Sequence, residues 1–258
     1  MIPLREQEYI KEKFARELVG PVRIDYFTQR ASPLYVPGRE ECAYCDDVRQ
    51  MLEELDALSD KIKLTAHEFA EARQAASRLG VDKIPGIVIR GPANRAIKFY
   101  GIPSGHEFPG LIEDIVDASR GKVDLAQETV RRLKKLKQDI AIQVLVTPTC
   151  PHCPVVARAA HKMALESPHI RADVIEISEF PRLAQRYQVR GVPTTVFNGQ
   201  TLMVGAMDER MLLEQVMKVA EGAGLPPPSG QAGPTTPAPA LEAPQQQQPP
   251  GGGRLILP

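Results

Sequence analysis

Ile142-Gln143-Val144-Leu145-Val146-Thr147-Pro148-Thr149-Cys150-Pro151-His152-Cys153-Pro154 runs a hydrophobic strand into two cysteines spaced Cys-x-x-Cys. Where a strand turns into a helix, such a pair sets its first sulfur beside unpaired backbone N–H groups and the positive end of the helix dipole, a setting that favours thiolate. Cys150 is therefore the expected nucleophile toward a disulfide. Cys153, one helical turn on, is expected to resolve the mixed disulfide. Pro151 suits the first turn of a helix, and His152 adds a positive neighbour. If His152 and the helix terminus stabilise the Cys150 thiolate, the dithiol form gains stability and the pair becomes more oxidising. His152→Gly is then expected to make the reduction potential more negative when the protein is equilibrated against a glutathione buffer. An unchanged potential removes His152 from the account.

The same order occurs once more upstream. Tyr9, Ile10, Phe14 and Leu18 share one face of a predicted helix that Gly20-Pro21 ends. A strand-like Val22-Arg23-Ile24-Asp25-Tyr26-Phe27 and a Pro/Gly-containing loop then lead to Cys42 and Cys45, after which Val48, Met51, Leu52 and Leu55 recur at helical spacing. In the second copy a helix is predicted over 125–137 and a strand over 141–146. From Cys45 to Pro85 is 40 positions, and from Cys153 to Pro193 is again 40. Each proline precedes a strand-like run, 86–89 and 194–197, and each copy closes with a predicted helix, 107–119 and 209–221. An internal repeat of one small α/β unit follows, with sheets flanked by helices: residues 1–121, then 122–224. From Leu225 the chain turns to Pro, Gln, Gly, Ala, Ser and Thr, a composition that buries too little apolar area to offset ordering; residues 225–258 are expected to be a disordered tail.

Ile84-Pro85 and Val192-Pro193 suit cis bonds facing the sulfurs. A cis proline there leaves the preceding backbone of Ile84 and Val192 free to pair with an extended substrate segment as an added strand. The alternative is a trans proline that merely opens an edge strand.

Hydrophobic residues make up 43% and charged residues 25% of the 258, ordinary for a globular chain. Lysine plus arginine and aspartate plus glutamate both number 32, so no global field draws nucleic acid or anionic membrane. Neither a signal-type apolar stretch near the start nor an apolar run of membrane-spanning length occurs, and a cytoplasmic protein is expected. All four cysteines fall in the two pairs, which suggests redox chemistry or metal rather than a disulfide framework. A zinc knuckle normally separates its pairs by roughly 15–20 residues, whereas 104 lie between Cys45 and Cys150; no metal site is expected, and no cofactor beyond the redox-active disulfides. Glu40, Glu41, Asp46 and Asp47 crowd the first pair, and like charge disfavours a thiolate. Cys42 and Cys45 therefore read as a less reactive catalytic or relay pair, against a structural disulfide. The histidines His67, His106, His161 and His169 read as structural or solvent-facing.

Val146 to Pro154, Ala160-His161-Lys162 and Tyr100-Gly101-Ile102-Pro103-Ser104-Gly105-His106-Glu107-Phe108 resemble the glutaredoxin-like protein disulfide oxidoreductases of thermophilic archaea and bacteria, which join two thioredoxin folds in one chain. The likeness covers about residues 5 to 222. It implies two tandem thioredoxin-like units with one mixed central sheet continuous across them, a second pair that is the main catalytic site, and a first pair also able to form a disulfide. As partners it implies protein disulfides and a thioredoxin reductase-like electron donor; a peroxide-reducing enzyme is a further expected acceptor. Three departures stand out: a long loop from Thr28 to Glu41, the Pro/Gln-rich tail, and the absence of the acidic residue that thioredoxins place on the strand before the cysteine, where Val144 stands instead. Cys153 therefore has no proton acceptor assigned from the sequence. A redox-inert binding or chaperone module on the same scaffold and a glutathione-dependent glutaredoxin are the alternative readings.

Overall fold

The computed structural model describes residues 2–30 and 41–222; the loop at 31–40 and the expected tail lie outside the described residues. Among the described residues, eight helices and eight strands follow in the order α1 (Leu4–Glu17), β1 (Val22–Thr28), α2 (Cys45–Ala57), β2 (Ile62–Glu68), α3 (Arg73–Leu79), β3 (Gly86–Arg90), β4 (Ala96–Tyr100), α4 (Glu107–Arg120), α5 (Gln127–Leu133), β5 (Ile140–Val146), α6 (Cys153–Glu166), β6 (Ile170–Glu176), α7 (Pro181–Arg186), β7 (Thr194–Phe197), β8 (Thr201–Val204) and α8 (Glu209–Ala220), with a 3₁₀ turn at Ile177–Glu179.

All eight strands form one mixed sheet in the order β2-β1-β3-β4-β6-β5-β7-β8. Each half repeats the same pattern, a parallel pair (β1/β2, β5/β6) and an antiparallel run (β1-β3-β4, β5-β7-β8). The halves join through β4 and β6, parallel, with Lys98 opposite Asp173 and Tyr100 opposite Ile175. Edges that would otherwise expose unpaired backbone groups thereby satisfy one another.

Both faces of the sheet are covered, which is why its central strands read as nearly continuous apolar runs. In β5, Ile140, Ile142, Val144 and Val146 face the layer that holds α1, α2, α4, α6 and α8, whereas Leu145 faces the side of α3 and α7. The first of these cores is shared by both halves: Phe14, Leu52 and Ile115 belong to the same cluster as Val156, Met163 and Leu212.

The predicted elements recur with shifted ends. α1 starts at Leu4, directly after Pro3, one turn before the periodicity becomes evident. The helix predicted over 125–137 runs from Gln127 and stops at Leu133; beyond it the backbone tightens into i→i+3 bonds, Lys135 to Arg132 and Leu136 to Leu133.

At the junction, Lys98 Nζ donates to Asp173 Oδ1 at 3.0 Å, and both side chains are buried. Asp173→Asn strands the ammonium without its counter-charge and is expected to cost about 3–5 kcal/mol in urea unfolding, while the double change Lys98→Met/Asp173→Leu costs far less.

Candidate redox site

The second cysteine pair sits where β5 runs out. The turn Thr147–His152 closes with the Cys150 N–H on the Thr147 carbonyl at 3.2 Å, and α6 starts at Cys153. Pro151 accordingly lies outside the helix, in the exposed turn, and it is Pro154 that occupies the first turn. The place expected for Pro151 thus falls to Pro154, because either proline fits a φ near −65° and spacing alone does not choose between them. Both cysteines are free thiols; Cys150 is half-buried and Cys153 fully buried. Cys150 Sγ lies 3.6 Å from the Val192 carbonyl oxygen, to which its S–H donates. The Val192–Pro193 bond is cis, and so is Ile84–Pro85 in the first half. Burial foremost, then the hydrogen bond with Cys150, pushes the Cys153 thiol well up, and the charge of Glu107 adds to the rise. A thiol so placed attacks only if something nearby takes its proton.

The carboxyl whose charge reaches Cys153 is that of Glu107. It is the first residue of α4, from the other half, and only 3% exposed. Burial raises its carboxyl to about 7, opposed by His161 and assisted by Asp114. Its Oε1 has no hydrogen-bond partner among the described residues. The segment that delivers it is fastened to the active-site turn: the His106 N–H donates to the Pro148 carbonyl at 3.0 Å. Gly105, at φ +58°, passes so close that a Cβ would stand 2.3 Å from the same oxygen. No side chain is tolerated there.

Behind Glu107 the α4/α6 seam carries a polar network. His161, only 2% exposed, faces Asp114 Oδ2 with Nδ1 at 2.6 Å and the Lys98 carbonyl with Nε2 at 3.1 Å. Arg158 bridges Asp114 and Asp117. His161 is thus a structural group; His67 pairs with Asp25 at 2.9 Å, His169 with Asp139 at 2.9 Å, and His106 is exposed.

In the first half Cys42 and Cys45 form a disulfide at the start of α2. Cys45 is buried and Cys42 half-buried. The strand position that matches Val144 carries Tyr26, whose hydroxyl donates to the Cys45 carbonyl at 2.6 Å. Glu41, Asp46 and Asp47 are exposed, and Glu40 lies outside the described residues. Among the described residues no three His, Cys, Asp or Glu side chains gather in a way that would hold a metal ion, and no helix is long and apolar enough to cross a membrane.

A family model for a thioredoxin domain matches residues 140–218, the half that holds Cys150 and Cys153. Over 178 residues the chain is 29% identical to a protein of Xanthomonas campestris pv. phaseoli named as one of the subunits of alkyl hydroperoxide reductase, an alignment that covers 69% of this chain and 31% of that protein. The chain thus spans about a third of the length of the curated relatives it matches. A protein disulfide oxidoreductase from Aeropyrum pernix superposes with a TM-score of 0.75 at 26% identity over 85% of this chain and 94% of that one. The NTD_N/C domain of alkylhydroperoxide reductase AhpF from Enterococcus faecalis gives 0.73 at 24% identity, over 83% and 99% of the two chains, a likeness of fold. With one sheet built from two copies of the unit and a Cys-x-x-Cys pair at the same place in each, the chain has a thioredoxin-like fold in both halves and is similar to these disulfide oxidoreductase and alkyl hydroperoxide reductase relatives.

Proposed function

We propose that this chain exchanges dithiols and disulfides with protein substrates, through the two thioredoxin-like units 1–121 and 122–224. Cys150 attacks a substrate disulfide; the Cys150–substrate mixed disulfide forms and the substrate's other sulfur leaves. Cys153 then gives its proton to Glu107 and attacks the Cys150 sulfur. The Cys150–Cys153 disulfide closes, and the second substrate sulfur leaves as a thiolate that takes up a proton. Run backwards, the same steps oxidise a substrate dithiol. The observation that carries this reading is the grouping of a half-buried Cys150 against the Val192 carbonyl, a fully buried Cys153 and a buried carboxyl near neutrality.

The Val192–Pro193 and Ile84–Pro85 segments are the docking edges for an extended substrate in this reading. Cys42–Cys45 is a second redox couple, and no cofactor beyond the disulfides takes part. Relatives named as alkyl hydroperoxide reductase subunits and as NADH dehydrogenase favour a thioredoxin reductase-like electron donor and a peroxide-reducing acceptor as partners, in the cytoplasm.

Dithiothreitol-driven reduction of insulin disulfides tests the reading. The wild-type chain is expected to bring on insulin precipitation well ahead of dithiothreitol alone. A folded protein that gives no acceleration overturns it in favour of the redox-inert binding module.

A further inference from the structure

The cavity at the first cysteine pair has one wall from the other half. It holds about 660 Å³, with Cys42, Ile84 and Pro85 on one side and Glu176, Glu179 and Phe180 on the other. The sheet order explains the meeting: β6 lies parallel beside β4, so the segment that leaves β6 emerges at the sheet end where the first pair stands.

The two carboxylates in that wall are held differently. Glu176, 3% exposed, spends both oxygens on its own turn, accepting from the Ser178 N–H at 3.1 Å and the Glu179 N–H at 3.2 Å. Glu179 accepts only from the Ile102 N–H, at 2.6 Å through Oε1, which leaves its second oxygen without a hydrogen bond among the described residues. Room for it is made by Gly101: at φ +90°, a Cβ there would stand 2.7 Å from Glu179 Oε1 and 2.8 Å from Glu176 Cβ. A backbone stripped of its side chain where a half-buried carboxyl leans in from another unit marks a position shaped around that carboxyl.

We propose that Glu179, supplied by the second half, is the proton acceptor and donor of the first cysteine pair. The inference rests on reading Cys42–Cys45 as a redox couple. In the dithiol form Glu179 takes the proton of the Cys42 S–H across the cavity. The Cys42 thiolate attacks a substrate disulfide, forming the Cys42–substrate bond and breaking the substrate S–S bond, and Glu179 returns the proton to the departing sulfur. Neither proton nor electron is left over. Burial holds the Glu179 carboxyl at about 7, with Glu176 adding to the rise and the Ile102 N–H opposing it, a range suited to giving and taking protons near neutral pH.

The other charged groups on this cavity and its rim, among the described residues, are Glu41, Asp82 and Lys83 from the first half and Arg182 and Arg186 on α7. Lys83 is paired within this rim, 2.5 Å from Asp82, and lies 4.4 Å above the Tyr100 ring. Burial pushes the Tyr26 hydroxyl well up, and the charges of Asp46 and Glu179 add to the rise. Each half thus lends a carboxyl to the other's pair, but to different members of it: Glu107 serves the resolving Cys153, and Glu179 serves Cys42, the counterpart of Cys150.

The test uses the full chain carrying Cys150→Ser and Cys153→Ser, so that only the first pair reacts. After reduction, its rate with 2-hydroxyethyl disulfide is followed between about pH 5.5 and 9, with and without Glu179→Gln. Glutamine keeps the oxygen that Ile102 bonds and loses the acid–base function. We expect about a tenfold slower reaction at neutral pH and convergence at high pH, where the solvent takes the proton. Glu179→Asp, which withdraws the carboxyl by one methylene, is expected to fall between the two and serves as the variant if glutamine impairs folding by far-UV spectra. Superposable pH–rate profiles for both variants and the parent overturn the assignment. A parent that exchanges at no pH overturns the redox reading of the first pair and the assignment with it, while Cys42→Ser/Cys45→Ser reports the second pair separately.

Discussion

Cys150→Ser is expected to lower insulin reduction by the second pair at least about a hundredfold, because it removes the only sulfur of that pair with access to substrate. Cys153 cannot substitute for it. It is fully buried, with its thiol pushed well up by that burial, and it reaches a partner only when Cys150 already carries one. Cys153→Ser should behave differently. The first attack proceeds, the second does not, and a mixed disulfide between Cys150 and insulin accumulates, visible on a non-reducing gel. Cys42→Ser should cost much less, since the second site keeps its nucleophile, its resolving thiol and the Glu107 lent by the first half. A Cys150→Ser protein that retains most of the activity, beside a Cys42→Ser protein that loses it, would transfer the main site to the first pair. Matched far-UV spectra keep folding defects apart from chemistry.

The repeat is legible because its markers are local. A Cys-x-x-Cys after an apolar strand, and a proline 40 positions past the second cysteine, are fixed by residue type and spacing, and the strands at 86–90, 140–146 and 194–197 follow within a residue. The strands without a sequence signal are those whose burial is settled by partners distant in the chain. β6, Ile170-Arg171-Ala172-Asp173-Val174-Ile175-Glu176, is buried at every position except Arg171. Yet Asp173 and Glu176 break its apolar run, and only Lys98 on the neighbouring strand and the turn at Ile177–Glu179 make their burial tolerable. β2 is an edge strand with mostly polar, half-exposed residues, so no alternation announces it.

The site shows the same limit. Both cysteine pairs can be read directly, whereas Glu107 and Glu179 stand in segments of the opposite half. An acidic residue in the first turn of a helix ordinarily satisfies the helix dipole in solvent, and nothing about Glu107 in isolation distinguishes it. The clue lies in its surroundings: Gly101 and Gly105 belong to a segment, Gly101 to Phe108, that passes unusually near the side chains of Glu176 and Glu179 at one glycine and the Pro148 backbone at the other. The family resemblance points to that stretch without supplying a reason for it. The reason is that the stretch docks one half on the active-site turn of the other.

Glu107→Gln is expected to make the protein slower and more stable at once. Near neutral pH the exchange rate of the second pair should fall by about a hundredfold, as the buried Cys153 loses its proton acceptor. Stability should move the other way, and with pH. Burial raises the Glu107 carboxyl from 4.5 to about 7, so between those values the folded protein holds a proton that the unfolded chain has released. Stability therefore falls as pH rises through this window, by up to about 3 kcal/mol from this one group. Glutamine imitates the protonated form. Urea unfolding should show little difference between Glu107→Gln and wild type at pH about 4.5 and a gain of up to about 3 kcal/mol above pH about 7.5, with the Glu179 slope of the same sign left in both proteins. A purely structural Glu107 would lose stability on substitution at every pH and leave the rate per folded molecule unchanged. A gain confined to the alkaline side together with a slower reaction has one physical source: a carboxylate kept in an unfavourable place, beside the thiol whose proton it removes.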